Sequence, residues 1–222
     1  MKWFQRGRSG RQADVVPLAG VSKSGNGPAQ VPQVLTAGDP VLQRIVGDGD
    51  QVAQITTGAG PVILDITHRG AGHFVVDALD GGLHSQSQLV YTDGPFACRS
   101  LINADDRPVR ALRVQGDGPW LIEATAPSSA MLLEGSARRA ASDVLRYAGG
   151  PGIASLRYEG DPRSEDGGYF LVDVFEPSGD GFLDELANHV GPWRGEVPLS
   201  GPCLVHARSD GPWSISVRSL TP

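Results

Sequence analysis

Two histidines five positions apart, His68 and His73, offer the first chemistry this chain could perform. They bracket Gly70-Ala71-Gly72. A strand ending at His68 that turned there and came back would place the two imidazoles face to face across a hairpin, as two ligands of one metal ion must be. Asp48-Gly49-Asp50 offers a second possibility, because hard cations such as calcium want clustered carboxylates on a flexible turn. His68, His73, Asp48 and Asp50 are therefore the candidate metal ligands, against the plainer reading of hydrogen-bonded hairpin histidines and solvated acidic turns. The acidic groups around Asp161, Glu165 and Asp166, and around Asp180 and Asp184, read as solvated turns.

Other reaction chemistries find no footing. There is no Gly-x-Ser-x-Gly elbow, no phosphate-cradling glycine pattern between a strand and a helix, and no cysteine with a local histidine partner. Nothing selects a pair of carboxylates for glycoside hydrolysis. The expectation is a protein that is not an enzyme and carries no cofactor.

The elements that would have to position these residues are announced by a repeat. Asp-Gly-Pro-Trp occurs at Asp117 to Trp120 and again at Asp210 to Trp213. Upstream of each copy the landmarks keep their order: Ala111-Leu112-Arg113-Val114 answers to Leu204-Val205-His206-Ala207, Gly94-Pro95-Phe96 to Gly191-Pro192-Trp193, Phe74 to Asp77 answers to Phe170 to Asp173, and Pro61-Val62-Ile63 to Pro151-Gly152-Ile153. The spacings scatter between about 90 and 97 residues, so one module is written twice with small loop differences. Thirty glycines and 17 prolines separating short apolar runs indicate strands and turns.

The expected fold is all-β: two tandem, internally duplicated antiparallel β-sandwich (jelly-roll-like) domains behind an extended N-terminal arm. The arm spans 1–40, the first sandwich 41–127 and the second 131–222. Strands are expected at 62–67, 73–79, 88–92, 109–115 and 120–124, and in the second copy at 153–158, 169–175, 186–189, 203–208 and 213–218. Trp213, Ile215 and Val217 alternate with Ser214, Ser216 and Arg218, the period of a strand with one buried face. Asp-Gly-Pro should then be a hairpin loop joining the last two strands. Ser136 to Tyr147 has helical composition, but its counterpart contains Gly47 and Gly49; a turn followed by a strand at 143–147 is expected.

Trp120, Trp213, Trp193 and Phe96 recur at matched strand ends and read as core anchors, with a ligand-stacking platform as the alternative. Leu121, apolar where the second copy has Ser214, should face the neighbouring module or a partner. Cys98 and Cys203 are not matched between copies, which indicates two buried free thiols.

The net charge of −6 divides unevenly. Residues 1–23 hold five basic side chains and one acidic, leaving an acidic body that disfavours general nucleic-acid binding. No secretory signal and no run of about 18 apolar residues is present, so a cytoplasmic protein without an integral membrane segment is expected, alone or in an intracellular assembly. The arm is poor in periodic apolar residues, yet Val15, Val16 and Leu18 could add to a sheet edge. They are the candidate contacts for a protein partner or for the chain's own oligomer.

Thr67-His68-Arg69-Gly70, Phe74-Val75-Val76, Gly94-Pro95-Phe96 and Asp117-Gly118-Pro119-Trp120 together resemble β-sandwich modules of uncharacterised actinobacterial proteins. That likeness implies a fold and no activity, and the second copy departs from it at Arg157 to Gly160. Gly47-Asp48-Gly49-Asp50 resembles a loop of the tellurium-resistance stress proteins, also calcium-binding β-sandwiches, although their paired-Asp motif is missing. The function expected is a non-catalytic binding or adaptor protein. A structural component of a phage-like or sheath-like assembly and a calcium-binding stress protein are the alternatives.

Overall fold

Short apolar runs bounded by turn residues turn most of the described residues into strands. A computed structural model of the protein describes residues 41–104 and 108–220, all within one compact unit, Pro32–Pro222. The first eight strands are β1 (Gln43–Asp48), β2 (Gln51–Gln54), β3 (Val62–His68), β4 (His73–Leu79), β5 (Ser85–Asp93), β6 (Phe96–Ile102), β7 (Ala111–Gly116) and β8 (Pro119–Thr125). They form two four-stranded sheets ordered β1-β8-β3-β6 and β2-β7-β4-β5, every pairing antiparallel. This nested pairing of first with last and second with second-last is the jelly-roll arrangement.

A 3₁₀ turn at Pro127–Ser129 leads into β9 (Met131–Leu132), β10 (Ser136–Arg139), β11 (Asp143–Tyr147), β12 (Gly152–Tyr158), β13 (Tyr169–Phe175), β14 (Phe182–Val190), β15 (Trp193–Leu199), β16 (Cys203–Ser209) and β17 (Trp213–Ser219). Their sheets run β10-β17-β12-β15 and β14-β13-β16-β11-β9, the same order with one short parallel strand, β9, added at an edge. Among the described residues there is no α-helix, and no helix long and apolar enough to cross a membrane.

Each sandwich encloses its own core. Leu64, Ile66, Phe74, Val76, Leu112, Trp120 and Ile122 fill the first, and Leu145, Leu156, Tyr158, Phe170, Val172, Val205, Trp213 and Ile215 the second. Trp120 and Trp213 are 3% and 1% exposed. Their indole N–H groups donate to equivalent carbonyls, of Gly49 at 2.9 Å and of Ala141 at 2.8 Å. The tryptophans are thus core anchors whose polar edge is satisfied.

The repeated Asp-Gly-Pro is not the hairpin loop expected from sequence. β7 and β8 belong to opposite sheets, so the segment is a crossover at one end of the sandwich. It passes over a second crossover, from β3 to β4, at van der Waals range. A Cβ on Gly118 (φ +94) would lie 2.9 Å from Gly70 Cα, and one on Gly211 would lie 2.3 Å from the Gly160 carbonyl oxygen. Two chain segments cross here with no room for side chains, which explains why this glycine recurs.

The same topology corrects the histidine hairpin. β3 and β4 lie in opposite sheets, and Gly70 to Gly72 spans between them. Ser136–Arg139 is a strand rather than a turn, while Asp143–Tyr147 is the expected strand. β1, β2, β6, β9 and β15 were not foreseen.

Candidate binding site at the junction of the sandwiches

The two sandwiches meet through unlike faces. The outer face of β3 and β6 in the first presents Ile63 and Leu101; the outer face of β13, β16 and β11 in the second presents Phe175, Leu204 and Val144, and these form one buried cluster with Ala104 and Ala130. Around it, the Arg99 N–H donates to the Ser142 carbonyl at 3.0 Å, and a guanidinium N–H of Arg163 reaches Thr92 Oγ1 at 3.4 Å.

The polar part of the junction is built on a cross-strand position. In the first sandwich Asp77 of β4 stands opposite Arg113 of β7 and binds it, with Nη2 to Oδ2 at 2.7 Å. In the second, Asp173 of β13 stands opposite His206 of β16, and its arginine comes from two residues further along: Arg208 Nη2 donates to Asp173 Oδ2 at 2.6 Å. Moving the arginine frees the facing position for a histidine. His206 is buried, and its Nε2 accepts the Leu101 N–H of the other sandwich at 3.4 Å, with Ser100 Oγ 3.5 Å away. Burial, helped by the nearby Arg208 charge, pushes the His206 pKa down to about 3, so the ring is neutral near pH 7. Burial also raises Asp173, against the opposing pull of Arg208, and raises Asp65, against that of Arg99.

A cleft of about 370 Å³ opens beside this group. Gln88, Asn103 and Val109 contribute from the first sandwich, and Phe175, Phe182 and Arg208 from the second. Asn103 (φ +60) holds the rim: its Oδ1 accepts the Val109 N–H at 2.7 Å and its Nδ2 donates to the Gly60 carbonyl at 3.2 Å. Phe182 is 58% exposed and meets Phe175 edge-on, ring centroids 5.9 Å apart. Arg208 Nε is buried with no hydrogen-bond partner among the described residues, whereas its Nη2 is bound to Asp173.

Ser100, His206 and Asp173 all line this cleft and invite comparison with a nucleophilic triad. The links that such chemistry needs are not in place. Ser100 is buried and only loosely approaches Nε2, whose lone pair already faces the Leu101 N–H, while Asp173 holds Arg208. What the arrangement offers instead is recognition: a guanidinium with unused donor capacity, amide side chains and an exposed ring around an apolar floor.

The residues singled out from sequence lie elsewhere. His68 is buried, stacked on Phe74 with ring centroids 4.3 Å apart, and its Nδ1 and Nε2 each lie 2.9 Å from a carbonyl oxygen, of Gly94 and Asp117. His73 is at the surface beside Asp93. Asp50 Oδ1 accepts the Gly116 N–H at 2.9 Å, and Asp48 is exposed at the end of β1. Asp48 and Asp50 flank the turn between β1 and β2, and among the described residues no group of three or more His, Cys, Asp or Glu is placed to hold a metal ion. Leu121 is half-buried on the outer face of β8, between Val46 and Thr67. Val15, Val16 and Leu18 lie outside the described residues. Cys98 and Cys203 are free, but only Cys203 is buried as expected while Cys98 is half-buried; desolvation raises both thiols, Cys203 to about 11.

Sequence reasoning missed the junction, although one signal was present. When the repeats are aligned, Arg113 answers to His206 opposite a shared aspartate. Compared with known proteins, the sequence matches no protein family and no curated protein.

Proposed function

We propose that this chain is a non-catalytic binding or adaptor protein, one sandwich module used twice, which takes a segment of a protein partner in the junction cleft. The observation that carries this reading is Arg208: anchored by Asp173 through Nη2, its half-exposed side chain lines the cleft together with the exposed Phe182 ring. A fixed guanidinium of this kind suits a carboxylate or main-chain carbonyl, and the ring suits an apolar side chain next to it. Val15, Val16 and Leu18 of the arm belong to the same reading as a second partner contact. Two free thiols accord with an intracellular setting.

A random-peptide library panned on the whole protein tests this. Enriched peptides carrying acidic and aromatic or aliphatic residues, bound by the wild type and lost with Arg208→Met or Phe182→Ser, are the expected result. Peptides retained equally by both variants would sink the cleft as the site. Val16→Asp with Leu18→Asp in the full chain asks the separate question of the arm.

A further inference from the structure

The β10/β17/β12/β15 sheet turns its outer face away from the junction and carries a row of arginines there. Arg157 of β12 stands directly opposite Arg194 of β15 on one side and Ser214 of β17 on the other, and Ser214 in turn stands opposite Arg138 of β10. Leu156, Tyr158, Trp213 and Ile215, their neighbours along the strands, fill the core, so the row points outward. All three arginines are exposed. Glu159 engages Arg138 through both carboxylate oxygens, at 3.0 and 3.1 Å, and Glu196 accepts a hydrogen bond from Ser155 Oγ at 3.1 Å. Arg157 and Arg194 have no ion pair among the described residues.

Like charges directly opposite on neighbouring strands, with Cβ atoms about 5 Å apart, repel and cost stability. The fold does not require them. Strand register puts Thr67 and Ala97 of the first sandwich where the second has Arg157 and Arg194, and Leu121 and Val46 where it has Ser214 and Arg138. The same topology therefore closes over an uncharged row. Guanidinium groups side by side on a flat sheet, with the Ser214 hydroxyl next to them, suit carboxylates, which a planar fork binds through two oxygens at once. Among the described residues the outward positions of these four strands hold no aromatic ring on which a nucleic-acid base could stack. Glu159, Glu196 and the acidic body also repel a long polyanion or an anionic membrane, whereas a short acidic segment can place its few charges at the arginines alone.

We propose that this outer face is an interaction surface for an acidic segment of a protein partner, whose carboxylates pair with Arg157 and Arg194. It lies on the other sheet from the junction cleft and does not use the arm, so it stands or falls separately from the function proposed above.

Fluorescence anisotropy of a labelled octaglutamate peptide, titrated with the full chain at low ionic strength, tests this. The wild type should bind the peptide and Arg208→Met should bind it equally. Arg157→Thr combined with Arg194→Ala, the first sandwich's own residues, should weaken binding by about tenfold or more, with a melting temperature unchanged or raised. No binding by the wild type overturns the proposal. So does undiminished binding by the double variant, which would assign the peptide to the basic residues of the arm, or a lowered melting temperature, which would show that the fold uses the arginines. Tighter binding of an oligothymidylate or of phosphatidylserine vesicles through the same two arginines would overturn the choice of an acidic protein segment.

Discussion

The two sandwiches solve the same local problem with different side chains. Where β3 and β12 end, a flat ring must stack on the phenylalanine that opens the next strand and tie down the glycine crossovers above it. The first sandwich uses His68 on Phe74, with both ring nitrogens against carbonyls of two separate loops, Gly94 and Asp117. The second uses Tyr158 on Phe170, ring centroids 5.0 Å apart, with one hydroxyl donating to the Gly167 carbonyl at 2.9 Å. The fold demands a ring with a polar tip at this place. Which polar group it carries decides only how many loops are held. The contrast teaches that a matched position with an unmatched residue type is a packing requirement, and that reactive-looking residues can be its solution.

The largest effect should come where the copies agree most. Trp120→Ala and Trp213→Ala should each cost about 3 to 5 kcal/mol in urea unfolding, as large aromatic truncations in cores do. A much smaller loss at one of the two would show that their shared indole hydrogen bond conceals different packing. The next largest should appear where the copies differ. His68→Phe keeps the stack but takes the ring nitrogens away from two carbonyls, and should cost about 1 to 3 kcal/mol. Tyr158→Phe removes one hydroxyl and should cost about 1 kcal/mol. Equal losses would break the comparison.

A titration sharpens it at the junction. His206 has a folded pKa depressed to about 3 against an ordinary value of 6.5, so its contribution is fully present above pH 6.5 and is lost progressively as pH falls towards 3. Asp65 and Asp173, raised by burial, act in the opposite sense near the acid end, where their protonated forms favour the folded state. The comparison that isolates the histidine is the wild type against His206→Gln: the loss of melting temperature between pH 7 and pH 5 should be smaller in the variant. Identical slopes would show that the ring is reached by protons without opening the junction. The smallest effect concerns the thiols, since Cys98 and Cys203 should react slowly with a thiol reagent until denaturant is added, both being raised by burial.

Strands were legible where a short apolar run is bounded by turn residues: His73–Leu79, Tyr169–Phe175 and Asp143–Tyr147 have the bounds expected of them, and nearly every residue in them is buried. β6 offers no such run. Arg99 and Ser100 interrupt it, and Arg99 is covered there because its guanidinium binds Asp65. β15 does alternate, through Trp193, Gly195, Val197 and Leu199, but Pro198 argued against a strand; it is accommodated because β15 is an edge. The Asp-Gly-Pro repeat was visible while its role was not, since a hairpin and a crossover need the same glycine. The junction site depends on strands about 100 residues apart, Ser100 on His206, and no local pattern encodes such a meeting.

The nested strand order also sets the tempo at which this molecule can form. β1 finds its partner only in β8, so Gln43 waits for Ala124, and β10 likewise for β17. A growing chain that has reached Ile102 holds β3 and β6 already paired, but lacks β7 and β8, the strands that complete both sheets over Phe74. The nesting runs outward from one local pair in each sandwich, β4 with β5 and β13 with β14, and each sandwich closes only when its two end strands meet, after nearly all its residues have emerged. Loop closure over such separations makes folding slow for the chain's size, and the Leu64 and Ile66 faces stay uncovered meanwhile. The first sandwich in particular is a nascent-chain hazard until Thr125 leaves the ribosome.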